Sequence, residues 1–284
     1  MLCPLYRYFL VLLPFLRYIP FCTAVINNAK TKEGLFGLAK ELYLKRCTKL
    51  ELKHAIMRYR AHKCWALIGR TFKSCLDYFR NGVQENGIYT ITDTSGDSYE
   101  VFCDLTSEPR SAWTLIMSQA FKNRNMAAFC NEQLTVSAPV QENTPNWEAY
   151  RLSLNRMQLL SKQSTHLRIT TGFTVYGVDF RDYLRAKVAS LDILSFTGAG
   201  VCKKVEYIDI RGQKGYAVTV PFWQPPGESI HTDSNTFVCQ FNGRKDSVYS
   251  ENNFGRQCGA TANPKFRGTA NDDSTTEYWF GGYL

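Results

Sequence analysis

Two cysteines, Cys75 and Cys103, frame most of the stretch SCLDYFRNGVQENGIYTITDTSGDSYEVFCDLTSEPRSAWTLI, and no other part of the sequence limits the fold as tightly. Gly87-Ile-Tyr-Thr-Ile91 and Ser98-Tyr-Glu-Val-Phe-Cys-Asp104 are rich in β-branched and aromatic residues. Asp93-Thr-Ser-Gly-Asp97 between them carries turn chemistry, so the pattern predicts a β-hairpin. On the two-residue period of a strand Tyr99, Val101 and Cys103 share a face, which sends Cys103 toward a core. A third strand is expected at Ala112-Trp-Thr-Leu-Ile-Met117, after Pro109. Were Cys75 and Cys103 joined, the 29-residue loop would lose enough unfolded-state entropy to stabilise the subdomain by ~3.6 kcal/mol on the loop-entropy model.

The first 24 residues read as a signal peptide: Arg7 precedes an apolar run, and Cys22-Thr-Ala24 supplies small residues for cleavage before Val25. Arg17, Pro14 and Pro20 interrupt the run where a membrane span would need about 20 apolar residues, so no transmembrane segment is expected. Removal of Cys3 and Cys22 leaves Cys47, Cys64, Cys75, Cys103, Cys130, Cys202, Cys239 and Cys258. An even number in a secreted protein predicts a disulfide framework, although eight cysteines allow 105 pairings. No CxxC pair or HxxxH spacing supports a zinc site.

The formal net charge is +9, and it is unevenly spread. Residues 25–75 hold 12 Lys or Arg against 3 Glu, Arg7 and Arg17 lie in the leader, and residues 76–284 are left with −2. The basic stretch carries apolar residues at near-helical intervals, with Leu35, Leu38, Leu42, Leu52, Ile56 and Tyr59. Residues 25–74 therefore read as a partly helical segment whose residues 30–73 offer a polyanion contact or simply a solvated face. Specific nucleic-acid binding is not expected. Further along, Thr144-Pro145 followed by Trp147, Tyr150, Leu154 and Met157 predicts a core-facing helix. Thr165-His-Leu-Arg-Ile-Thr170 then alternates like a strand, with His166 on its polar side. Tyr207-Ile-Asp-Ile210 and Tyr216-Ala-Val-Thr-Val220 read as two strands around Arg211-Gly-Gln-Lys-Gly215.

Four elements occur in order: Cys75-Leu-Asp-Tyr-Phe-Arg-Asn-Gly82, Gly87-Ile-Tyr-Thr-Ile91, Val101-Phe-Cys-Asp-Leu105 and Trp113-Thr-Leu-Ile116. Together they resemble the opening of the fibrinogen C-terminal-like family, shared with intelectin-type lectins. Arg110-Ser-Ala112 stands where that family has a glycine run before the tryptophan. The resemblance implies an α+β fold over residues 75–284: a disulfide-stapled N-terminal β-subdomain, then a mixed sheet with few helices and a loop-rich C-terminal part. The end of the basic segment, Ala66 to Lys73, faintly resembles the opening strand of an apple (PAN) module. The fibrinogen-like resemblance also implies a Cys75–Cys103 bridge and a second between Cys239 and Cys258. Cys130 and Cys202 are then left to each other, and Cys47 and Cys64 are candidates for a further pair.

A calcium ion in this family is held by an acidic loop shortly before the first late cysteine, because Ca²⁺ takes six to eight hard oxygens. Here only Asp233 and Asn235 match in type, with Asp272-Asp273 as an alternative pair. The family's later tryptophan-rich motif is replaced by Asn252-Asn-Phe-Gly-Arg-Gln-Cys-Gly259. The closing aromatics Tyr278, Trp279 and Phe280 form either a surface for a glycan or protein partner or a terminal strand buried against the sheet. No GxSxG, HExxH or P-loop is present. The expectation is a secreted, non-catalytic, lectin-like recognition module that requires no cofactor, with calcium as an optional one. A matrix protein anchored through its basic segment is the alternative, and a secreted hydrolase ranks below both.

Overall fold

The computed structural model describes residues 71–233 and 238–284. The expectations placed on residues 1–24, on most of the basic segment, on Cys47 and Cys64, and on Asn235 lie outside the described residues. The compact unit treated below runs from Thr71 to Leu284. It opens with helix α1 (Cys75–Arg80); Asp77 in its first turn and Arg80 in its last suit the helix dipole. Strands β1 (Gly87–Thr92) and β2 (Ser98–Asp104) follow as the expected hairpin, with Gly87 opposite Cys103. Tyr99, Val101 and Cys103 are buried, and Cys75 is bonded to Cys103. The third strand, β3 (Ser111–Ala120), is buried along all ten residues.

After a 3₁₀ turn (Phe121–Asn123) come α2 (Ala127–Cys130), β4 (Ala149–Arg151) and α3 (Leu154–Lys162). The helix expected from Thr144 is thus corrected: it begins only at Leu154, because Ala149, Tyr150 and Arg151 pair with β3. Next are β5 (His166–Thr171), α4 (Phe173–Tyr176), β6 (Tyr183–Lys187), β7 (Gly198–Lys204), β8 (Tyr207–Ile210) and β9 (Gln213–Tyr216). The turn after β8 is tighter than expected. Arg211 at φ 54 and Gly212 at φ 81 make it, so β9 starts at Gln213 and β10 (Thr219–Gln224) is a separate strand. Short β11 (Thr232–Asp233) and β12 (Asn252–Asn253) precede the last strand, β13 (Thr275–Tyr283).

The main sheet runs β1-β2-β3-β13-β5-β6-β8-β9, with β4 added beside β3, and every pairing in it is antiparallel. The final strand is therefore a central one. Tyr278, Trp279 and Phe280 are fully buried between β3 and β5, which excludes them as a ligand surface. The close approach of the strands fixes a glycine here: a Cβ on Gly281 would lie 2.0 Å from the Ala112 carbonyl oxygen.

Charge is built into this centre. The Arg168 guanidinium lies between the rings of Trp113 and Trp279, 4.6 and 4.7 Å from their centroids. It donates to Glu108 at 2.9 Å and to Asp104 at 2.5 Å. Burial alone would raise Asp104, but Arg168 and the hydrogen bonds from Ser107 hold its carboxyl below the usual range. Glu108 also accepts from Tyr183 and Tyr283, tying β6 and the end of β13 to the same cluster. Arg151 on β4 is likewise buried and donates to the carbonyls of Glu132, Gln133 and Val136, which pins the loop after α2. In β13 the Glu277 carboxylate accepts from Thr170, Thr275 and the Phe173 amide; burial pushes it up to about 7.

The later cysteines depart from expectation. Cys202 is bonded to Cys239 and Cys130 to Cys258, replacing the expected Cys239–Cys258 and Cys130–Cys202 pairs. The reason is positional: α2 brings Cys130 beside the segment after Phe254, while Cys202 sits on β7 opposite Pro221 and next to the Val238 carbonyl.

Candidate functional site

Loops carry the polar surface of this domain, and β10 organises them. Its register with β7 shifts between Phe222 and Gln224, a bulge that re-aims Trp223. Gln224 is buried and fully engaged, donating to the Ile193 and Phe196 carbonyls and accepting from the Leu134 amide. Trp223 and His231 exchange two backbone hydrogen bonds of 3.0 Å, and their rings stack at 5.9 Å with an interplanar angle of 14°. Directly after His231, β11 pairs with β12, which sets Asp233 opposite Asn252.

His231 is positioned from below. Its Nδ1 is 2.9 Å from the Ser229 carbonyl, which can only accept, so the neutral ring carries its proton there and turns the Nε2 lone pair outward from that bond. Burial holds its pKa below the usual histidine value against the opposing pull of the Ser229 carbonyl. The Ser229 amide donates to the carbonyl of Cys130, whose disulfide leads to Cys258 and its neighbours Arg256 and Gln257. Gly255 at φ 150 lets this segment press against the Ile230 carbonyl, from which a Cβ would be only 1.6 Å away. Gln119 donates to the Gly255 carbonyl at 2.7 Å, and the Tyr278 hydroxyl to that of Phe254, so the base of the segment is anchored to the central sheet.

The result is a shelf of half-exposed Trp223, Asp233, Asn252 and Arg256 around buried His231. The Arg256 side chain makes no hydrogen bond or ion pair among the described residues, and neither the Ser229 hydroxyl nor the Gln257 amide nitrogen has a hydrogen-bond partner there. Buried donors are ordinarily paired, so a group of them left over by the fold marks a place suited to acceptor oxygens from outside. The combination offers an aromatic face, a carboxylate, an amide and a cation.

Of the residues singled out in the sequence, Asp233 belongs to this shelf. Asp272 and Asp273 do not: they lie elsewhere and pair with Arg124 at 3.6 Å and Lys122 at 3.2 Å. For calcium, Asp233 and its neighbour Asn252 supply two side-chain groups against the six to eight oxygens the ion takes. No group of three or more His, Cys, Asp or Glu able to hold a metal stands together among the described residues. Trp223, His231 and Arg256 were not legible as site residues. The only signal available was their nearness in sequence to Pro225-Pro-Gly227 and Cys258, a loop opener and a bridge.

The model of the family described as fibrinogen beta and gamma chains, C-terminal globular domain, matches residues 71–280. No curated protein matches the sequence. Among solved structures, the fibrinogen-like globe domain of human ANGPTL2 is 16% identical; the match spans 73% of this protein and 97% of that domain, with a TM-score of 0.33.

Proposed function

Since the protein belongs to the family of C-terminal globular domains of fibrinogen beta and gamma chains, we propose that its domain is a secreted, non-catalytic recognition module that binds a glycan through the Trp223–Arg256 shelf. The family is generally non-enzymatic, and its disulfide-bonded domains are typically extracellular. Three bridges among the described residues suit an oxidising compartment. No described helix is long and apolar enough to cross a membrane.

One observation carries the reading: the Arg256 guanidinium makes no bond among the described residues, in a domain whose buried arginines 151, 168 and 211 are all engaged. A sugar ring would stack on Trp223, with hydroxyl or acetamido groups meeting Asp233, Asn252 and Arg256. The test is a glycan array probed with calcium and with chelator, using the wild type and Trp223→Ala. The reading expects a glycan whose binding drops at least tenfold in the variant; the chelator arm decides whether calcium takes part. Binding to an extracellular protein but to no glycan would replace the glycan reading with a protein-partner one, and turnover of any glycan would end the non-catalytic assignment.

A further inference from the structure

The domain from residue 76 onward is slightly acidic overall, yet its cations are not evenly placed. Strand β9 is the edge of the main sheet, and its outward face carries exposed Lys214 and Tyr216, about 7 Å apart at strand spacing. Tyr216 is 67% exposed and packs against Tyr207 with its ring tilted by 57°, the centroids 5.0 Å apart. Beside this edge, the Lys245 carbonyl accepts from Gln213 and from Arg211, both at 3.0 Å, so exposed Lys245 is held against the start of β9. At the other end Lys204 is the register partner of Thr219, and Thr219 is bonded in turn to Gln240 and Phe241. Phe241 closes the belt by packing on Gly215, where a Cβ would come within 2.9 Å of its ring.

The fold thus brings Lys214 and Lys245 to the β9 edge and Lys204 to the adjoining β7–β10 pair, and all three are exposed and make no ion pair among the described residues. The neighbouring carboxylates are occupied: Glu206 by Arg185 at 3.2 Å, Asp246 by Lys265 at 2.8 Å. A row of unneutralised cations beside an exposed aromatic ring is complementary to a polymer with repeating negative charge and a sugar face. We infer that the β9 edge and the adjoining end of the β7–β10 pair, through Lys204, Lys214, Lys245 and Tyr216, form a docking surface for a sulfated polysaccharide. This surface shares no residue with the Trp223–Arg256 shelf.

The full-length protein is tested on immobilised heparin by the salt concentration at elution and by the slope of log affinity against log salt. The variant Lys204→Ala/Lys214→Ala/Lys245→Ala is expected to elute earlier, with a slope smaller by about 2 if each contact contributes about 0.7, as for flexible polyanions. The Lys→Arg triple is expected to elute with the wild type, and Trp223→Ala to leave elution unchanged. A control variant in the basic segment, Lys45→Ala/Arg46→Ala/Lys49→Ala, separates that segment's contribution. Unchanged elution of the Lys→Ala triple would overturn the inference. So would loss of the three lysines weakening binding to phosphatidylserine vesicles while leaving heparin binding intact.

Discussion

Two arginines show how differently the two halves of this domain use the same side chain. Arg168, at the sheet centre, is clamped by two carboxylates and two tryptophan rings. Arg256, on the shelf, is half-exposed and bonded to nothing among the described residues. The first is a solved problem of burial: a charge taken out of water is tolerated because partners surround it. The second is a charge that the fold carries without using. The contrast separates a part that holds the molecule together from a part that it can offer to a ligand.

The largest effect that would break this comparison lies at the centre. Arg168→Ala leaves buried Asp104 without a cation and Glu108 with only Arg185, 3.3 Å away, and is expected to cost about 3–5 kcal/mol in urea unfolding. A cost below about 1 kcal/mol would show that the cluster is not structural. Next comes Glu277. Its folded value of about 7 exceeds the ordinary 4.5, so the neutral acid is favoured in the fold: its contribution is complete below pH 4.5 and is lost as pH rises through about 7. The shift corresponds to about 3 kcal/mol. Glu277→Gln is expected to flatten the dependence of stability on pH between these values, and an undiminished slope would contradict the assignment.

The shelf carries the opposite sign. Burial lowers the His231 pKa, so its contribution is full above the unfolded value and is lost as pH falls from there through the folded one. The protection of the Trp223 and His231 amides against exchange, relative to their intrinsic rates, is therefore expected to fall on acidification, since the two bond each other across the bridge, while that of the β13 amides does not. Parallel behaviour of both regions would erase the distinction between them.

Much of the scaffold was legible because its strands have one exposed face. Tyr99, Val101 and Cys103 alternate with half-exposed residues, and the hairpin follows directly. β13 was ambiguous for the converse reason: buried on both faces, Thr275 to Gly282 shows no period of two, and its aromatics read equally as a surface patch. The spacing of Trp147, Tyr150, Leu154 and Met157 mimicked a helix across a strand, because apolar positions do not reveal a partner such as β3 that lies far away in sequence. The late disulfides were beyond reach for the same cause: Cys130 and Cys258 are 128 positions apart, and only the folded loops bring them together. Of the shelf, Asp233 could be read from its loop, whereas Trp223, His231 and Arg256 meet only in three dimensions.

The central claim is that binding belongs to the shelf and stability to the sheet, and Arg256→Ala addresses it most directly. Measured side by side, its unfolding free energy is expected to match the wild type to within about 0.5 kcal/mol, while affinity for the glycan identified on the array falls at least tenfold. Unchanged affinity, or a loss of stability comparable to that of Arg168→Ala, would contradict the account.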